Sequence, residues 1–203
     1  GSGIRDLLLN AKYNFTDQTK ISVSYLQNAS LPNLNYTLLQ SSYANYNWFN
    51  SFKNEQTHTL LANLETPFVN LVFNAKNLSN HLYFANTATN SEELLIKPFQ
   101  YSENINYVSL EANKEFKYKK WAFDNRFLFQ QVDQNNPIIN VPDLLFRSTV
   151  YYTDFVFKNA IEIQIGLSGQ YFTSYFANNY NPVLGEFYVQ NITKIGNFPL
   201  MDF

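Results

Sequence analysis

The stretch Ala160–Tyr175 constrains the fold of this chain more than any other. Ile161, Ile163, Ile165, Leu167 and Tyr171 fall in one phase of a period-two pattern, and Glu162, Gln164, Gly166, Ser168 and Gln170 in the other. Side chains alternate across an extended strand, so this segment has one apolar and one polar face. It is also long. Strands of soluble sandwiches run to about five or six residues, whereas about ten alternating residues at a tilt near 45° cross the hydrocarbon layer of a bilayer.

Seven more segments carry the same pattern. The expected strands are Ile4–Phe15, Lys20–Gln27, Thr57–Glu65, Phe68–Leu78, Asn104–Glu115, Lys120–Gln131, Leu144–Thr153 and Ala160–Tyr175. In the first, Leu7, Leu9, Ala11, Tyr13 and Phe15 oppose Leu8, Asn10, Lys12 and Asn14. In the sixth, Trp121, Phe123, Phe127 and Phe129 oppose Ala122, Asp124, Arg126 and Gln130. The links at 16–19, 66–67, 116–119 and 154–159 are short and rich in turn-forming residues. Those at 28–56 and 79–103 are long, 132–143 is of medium length, and the chain reads as loop from Phe176 through Pro199. Long and short links therefore alternate, as in outer-membrane barrels with short periplasmic turns and long outer loops.

This reading predicts an all-β, antiparallel, up-and-down transmembrane β-barrel of about eight strands over residues 4–203. Gly1-Ser2-Gly3 reads as a cloning scar or artificial join outside it. The first strand starts, and the eighth ends, on the long-link side. That count predicts that the eight strands are the interior of a larger barrel, cut at both ends. Eight strands closing alone would fill their interior with side chains.

Composition narrows the alternatives. Only 15% of residues are charged, against about 25% in typical domains. Aromatics reach 18%, with 19 Phe, 15 Tyr and two Trp, and there are 29 Asn. Such a surface need not meet water everywhere, although a soluble secreted β-sandwich with Asn-rich loops would look similar. No run of 18 apolar residues exists, so no transmembrane helix is expected, which leaves barrel strands untouched. The absence of cysteine removes disulfide scaffolds, zinc–thiolate sites and thiol nucleophiles together. A net charge of −2, with no basic cluster beyond Lys117–Lys120, argues against nucleic acid as a partner.

Catalytic and metal chemistry find little support. His58 and His81 are isolated, no G-x-S-x-G occurs, and neither histidine neighbours another ligand at metal-binding spacing. Glu92-Glu93 is a lone acidic pair, short of the several oxygens calcium needs. Gly166 and Gly169 mark bends or room for neighbouring side chains. No enzymatic activity and no cofactor are expected.

The polar phases are the informative constellation. They carry Lys12, Asn74, Lys76, Glu111, Asp124, Arg126, Arg147, Thr149, Glu162 and Gln164, and all seven charges in that set oppose the aliphatic phase. An Arg or Lys facing lipid at mid-depth costs about 2–4 kcal/mol, so these residues are expected to line a lumen. A wall of mixed sign suits small polar solutes. The alternative is a plug of ion pairs, with Asp124 or Arg126 meeting Arg147 or Glu162 on adjacent strands. Tyr13, Phe15 and Trp121, with Phe68 and Phe155, are expected in an interfacial belt at the short-turn rim, and Tyr25 and Tyr171 at the outer rim. Tyr36, Tyr43, Tyr46, Trp48, Tyr83 and Tyr180 in the long links either pack the loops or bind sugars or proteins.

Tyr180-Asn181-Pro182-Val183-Leu184-Gly185-Glu186-Phe187-Tyr188-Val189-Gln190-Asn191 and Ile195–Phe203 resemble the putative porin family of bacterial outer-membrane barrels. Lys120–Asn125, Val141–Leu144 and Tyr46–Asn50 resemble further segments of it. The likeness spans most of the chain, and Asn181–Asn191 is its most specific part. In the family, the segment at Pro199–Phe203 looks like the opening of another strand. The resemblance implies a bacterial outer-membrane location and a porin-like channel for passive diffusion of small polar solutes, with no catalytic residues to assign. Expected partners are outer-membrane lipid and the solutes, with other envelope proteins or barrel-assembly machinery as open additions. The competing expectations are a barrel whose aromatic loops bind a glycan or envelope protein, and the soluble sandwich.

Overall fold

A computed structural model of the chain describes residues 5–88 and 93–203. Gly1–Gly3, the Ile4 start expected for the first strand, and Glu92 of the acidic pair lie outside these residues. The molecule is organised around one antiparallel sheet of nine strands: β1 (Arg5–Asn14), β2 (Lys20–Ser30), β3 (Glu55–Glu65), β4 (Asn70–Ser79), β5 (Ile105–Tyr118), β6 (Trp121–Asp133), β7 (Leu144–Val156), β8 (Ile161–Phe172) and β9 (Leu200–Asp202). The strands pair in chain order, each with the next. The sheet is not closed into a barrel: β1 and β9 are its two edges among the described residues.

Local chemistry sets the short turns. The Thr16 hydroxyl accepts from the amides of Gln18 and Thr19 between β1 and β2. Thr66 does the same for Phe68 and Val69 and donates to the Val69 carbonyl at 2.7 Å between β3 and β4. Lys119, with φ of 55°, makes the tight β5–β6 turn. Phe157, Lys158 and Asn159 are all left-handed between β7 and β8, a conformation that non-glycine residues rarely adopt.

The register shows why these turns matter. Residues directly opposite share a face, so pairing can be followed across the sheet. One row runs Tyr13–Ile21–Leu64–Leu71–Ala112–Phe127–Phe146–Tyr171 through eight strands. The adjoining row, on the other face, runs Asn14–Lys20–Glu65–Asn70–Asn113–Arg126–Arg147–Gln170. The first contains no polar side chain except two tyrosines, and the second no apolar one. Because the side-chain period is two, a single-residue slip in any strand would break both rows.

The rows also climb. Tyr13 lies one residue in from the short turn at Asn14, and Tyr171 lies ten residues in from the short turn at Ile161. The steps fall between β4 and β5 and between β6 and β7. With about 3.4 Å per residue and about 4.8 Å between strands, nine residues over seven steps corresponds to a strand tilt of about 40° when the short turns are level. Membrane barrels tilt by about 35–45°.

No second sheet covers the apolar face among the described residues. Leu9, Phe127 and Ile163 are 57%, 44% and 38% exposed, whereas the sandwich expectation requires them in a packed interior. No helix is long and apolar enough to cross a membrane, which says nothing of strands. The buried residues gather instead in the long connections.

Candidate functional site

Those connections depart from the sequence reading, which left 176–199 as plain loop. Leu82–Asn86 pairs with Ile96–Gln100, Leu38–Leu39 with Trp48–Phe49, Asn179–Asn181 with Glu186–Tyr188, and Tyr175–Phe176 with Lys194–Ile195. One helical turn, Leu34–Thr37, is capped by the Asn33 side chain. These small hairpins fold together into a cap. Phe84 and Ile96 are 2% and 0% exposed and pack with Tyr188, Tyr36, Tyr46, Trp48 and Leu184. Tyr36 stacks on Phe84 at 4.6 Å. Tyr36, Tyr46, Trp48 and Tyr83 are therefore packing residues, while Tyr43 and Tyr180 stay exposed.

A second cluster ties the cap to the sheet. Tyr101, Ile105 and Ile138 pack with Leu78, Tyr83, Val132, Ile139 and Val189. Leu78, Ile105 and Val132 stand on the polar face of the sheet, in the phase of Lys76 and Tyr107. The long connections thus fold over the polar face at its outer end and leave the apolar face bare. Glu55, the first residue of β3, holds this arrangement from below: its Oε2 lies 2.9 Å from His81 Nδ1 and accepts from the Leu82 amide.

Asn181 is the keystone of the cap. It is 2% exposed, its Oδ1 accepts from the amides of Val183 and Leu184, and its Nδ2 donates to the Tyr46 hydroxyl at 3.1 Å. Gly185 closes the same turn with φ of 69°. Further along, Asn191 donates to the Pro137 carbonyl and accepts from Asn140, and the Val189 amide donates to the Phe84 carbonyl. Asn181–Asn191, singled out by resemblance, is thus the strap joining three connections. Burial raises the pKa of Tyr36, with Glu186 and Glu55 adding to the shift, and burial likewise raises that of Tyr83, aided by Tyr101.

Below the cap, the pairing puts Lys12, Asn74, Lys76, Glu111, Asp124, Arg126, Arg147, Thr149, Glu162 and Gln164 on one face of the sheet. Arg126 donates to Glu111 Oε2 at 2.7 Å, and Asn113 donates to Glu111 Oε1. Thr149 and Ser168 share a hydrogen bond of 2.7 Å, Tyr151 donates to Glu115, and Lys76 lies 5.9 Å from the Tyr107 ring centre. The Asn74 Oδ1 is buried without a partner. The ion pairs differ from those weighed in the sequence. Arg126 meets Glu111 on β5, and Arg126 and Arg147 stand directly opposite one another. The phase of each strand is readable from its residues, but the register that decides such pairs is not.

The apolar face is not free of polar groups. Lys114 lies in its phase, and its ammonium donates to the Pro67 carbonyl in the β3–β4 turn. The climbing register brings that turn beside it. Asn125 and Ser148 on the same face bond each other at 2.8 Å. Among the expected belt aromatics, Tyr13 and Phe15 meet edge to face at 4.8 Å at the first short turn, and Trp121 packs on Tyr152 at 5.1 Å at the third. Tyr171 sits one residue from the outer end of β8. Tyr25 does not sit near a strand end: β2 continues to Ser30, which places it mid-strand with its hydroxyl 2.7 Å from His58 Nδ1. No group of His, Asp or Glu suited to a metal ion occurs among the described residues.

A family model described as Putative porin matches residues 3–203. No curated protein and no solved structure matches the chain.

Proposed function

The chain belongs to the putative porin family, and on that premise we propose that it forms part of the wall of an outer-membrane channel through which small polar solutes diffuse passively. The observation that carries this reading is the pair of adjoining rows, one apolar and one polar, that run unbroken through eight tilted strands. In a bilayer the apolar rows meet acyl chains, and the polar rows enclose a water-filled path in a barrel. Lys12, Asn74, Lys76, Glu111, Asp124, Arg126, Arg147, Thr149, Glu162 and Gln164 then line that path. The cap narrows its outer mouth, because it rests on the same face. Discrimination comes from fixed charges and mouth width, and no chemical step or cofactor is involved. The partners are outer-membrane lipid and the permeating solutes.

Reconstitution of the full-length protein into planar bilayers tests this directly. Stepwise conductance and uptake of small polar solutes are expected; an electrically silent protein that retains its β-structure would rule the reading out. A binding role for the loops has one observation in its favour, the exposed Tyr180–Phe187 ring pair at 5.1 Å. Replacing the exposed Tyr180 and Phe187 by Ser would abolish such binding while leaving the cap and permeability in place.

A further inference from the structure

The apolar face carries a groove that its aliphatic surroundings do not explain. Trp121, Val150, Tyr152, Ile165 and Leu167, with the exposed Phe203 at one side, line an open concavity of about 670 Å³ with almost no polar surface on its walls. The groove lies against the short-turn ends of β6, β7 and β8, where Trp121, Tyr152 and Ile165 form one register row.

Its lower end is basic. Tyr152, a wall of the groove, donates its hydroxyl to Asp154 Oδ2 at 2.7 Å, and Asp154 Oδ1 receives the Lys120 ammonium at 2.5 Å. The Lys119 ammonium sits 5.4 Å from the ring centre of Tyr118, which pairs with Trp121 in register on the same face. Lys158 stands in the neighbouring turn. Four lysines, Lys117, Lys119, Lys120 and Lys158, stand at this end against three acids, Glu115, Asp154 and Glu162; Lys117 pairs with Glu115 and Lys120 with Asp154, which leaves Lys119 and Lys158 without an ion pair among the described residues. An apolar slot ending at a basic, aromatic-lined rim has the chemistry of one ligand class: an acyl chain below an anionic headgroup.

We propose that this groove is a binding site for an anionic phospholipid, with an acyl chain against Trp121, Val150, Ile165 and Leu167 and its phosphate at Lys119 and Lys120. The site rests on the reading that the apolar face meets lipid. Asp154 holds Lys120 against Tyr152, so the ammonium stays at the mouth of the groove.

Native mass spectrometry tests the site on the full chain, released from discs of equimolar phosphatidylglycerol and phosphatidylcholine. The wild type should retain phosphatidylglycerol at least fivefold over phosphatidylcholine. The double variant Lys119→Gln/Lys120→Gln should lose about fivefold per lysine removed. Ile165→Trp, which fills the groove and spares the lysines, should retain less of both lipids. Heat-modifiable gel migration verifies that each variant folds. Equal retention of the two lipids by the wild type, a preference that survives loss of both lysines, or displacement of the lipid by inorganic phosphate would each overturn the site. Quenching of Trp121 by brominated acyl chains, read in a Trp48→Phe background, separates the two levels of the claim. An unquenched Trp121 overturns the lipid-facing reading together with the site; a quenched Trp121 without headgroup preference overturns the site alone.

Discussion

Arg126 and Arg147 face each other in register across β6 and β7, and of the two only Arg126 has a carboxylate partner among the described residues, Glu111 at 2.7 Å. Like charges directly opposite in a sheet repel, and a carboxylate on the next strand relieves part of that repulsion. The outcome is one neutralised guanidinium beside one left to the solvent on the polar face.

Ion selectivity should follow from this pair. Replacing Arg147 by Gln removes the unpaired positive charge and should shift the zero-current potential in a salt gradient toward cation preference. Glu111→Gln frees Arg126 and should shift it toward anions. Opposite shifts are the expected pattern; an unchanged potential in both variants would place these residues off the conduction path.

The two faces should respond differently to the same charge. Phe127 and Leu128 are neighbours in β6 on opposite faces. Phe127→Arg puts a cation among acyl chains and should cost about 2–4 kcal/mol in denaturant unfolding from bilayers. Leu128→Arg lies between Glu111 and Leu145 on the polar face and should stay within about 0.5 kcal/mol of the wild type. Equal losses from both variants would contradict the assignment of faces.

The cap should loosen without the sheet. Asn181→Ala removes the acceptor for two amides and the donor to Tyr46 at a buried position, a loss of about 1–3 kcal/mol. Phe84→Ala empties the centre of the aromatic cluster and should cost about 3–5 kcal/mol. Amide exchange should quicken in 82–88, 93–100 and 179–190 while the amides of β5 and β6 stay protected. Uniform quickening would mean that cap and sheet unfold as one unit.

Alkaline pH should act on the same cluster. Burial favours the neutral phenols of Tyr36 and Tyr83, so both hold their protons above the ordinary tyrosine value of about 10. The unfolded cap loses those protons first, and the stability they confer falls as pH rises beyond that value. Phenolate absorbance should therefore titrate in two waves, with the late one advanced by Phe84→Ala.

Much of the sheet was legible because alternation is local. Ile161 to Tyr171 declare their face without reference to any neighbour, and Thr16 and Thr66 announce their turns. The strand ends were less so. β2 continues through Asn28-Ala29-Ser30, where pairing with Gln56 and Glu55 rather than alternation extends it. The cap was not legible, because Phe84 and Ile96 owe their burial to Tyr188, about a hundred residues away, and no periodicity links them. The one available sign was the Asn-Pro-x-x-Gly turn chemistry at Asn181–Gly185. The Arg126–Glu111 pair needed the register, which a slip of one or two residues would have changed.

The chain contains no cysteine, so single cysteines introduced from Arg126 to Phe129 can carry spin labels without background. The most direct measurement is their accessibility in reconstituted bilayers to oxygen, which concentrates in acyl chains, against a water-soluble nickel chelate. Labels at Phe127 and Phe129 should favour oxygen, and labels at Arg126 and Leu128 the chelate, with a period of two. The reverse phase, or four labels equally open to the chelate, would contradict a sheet whose apolar face meets lipid.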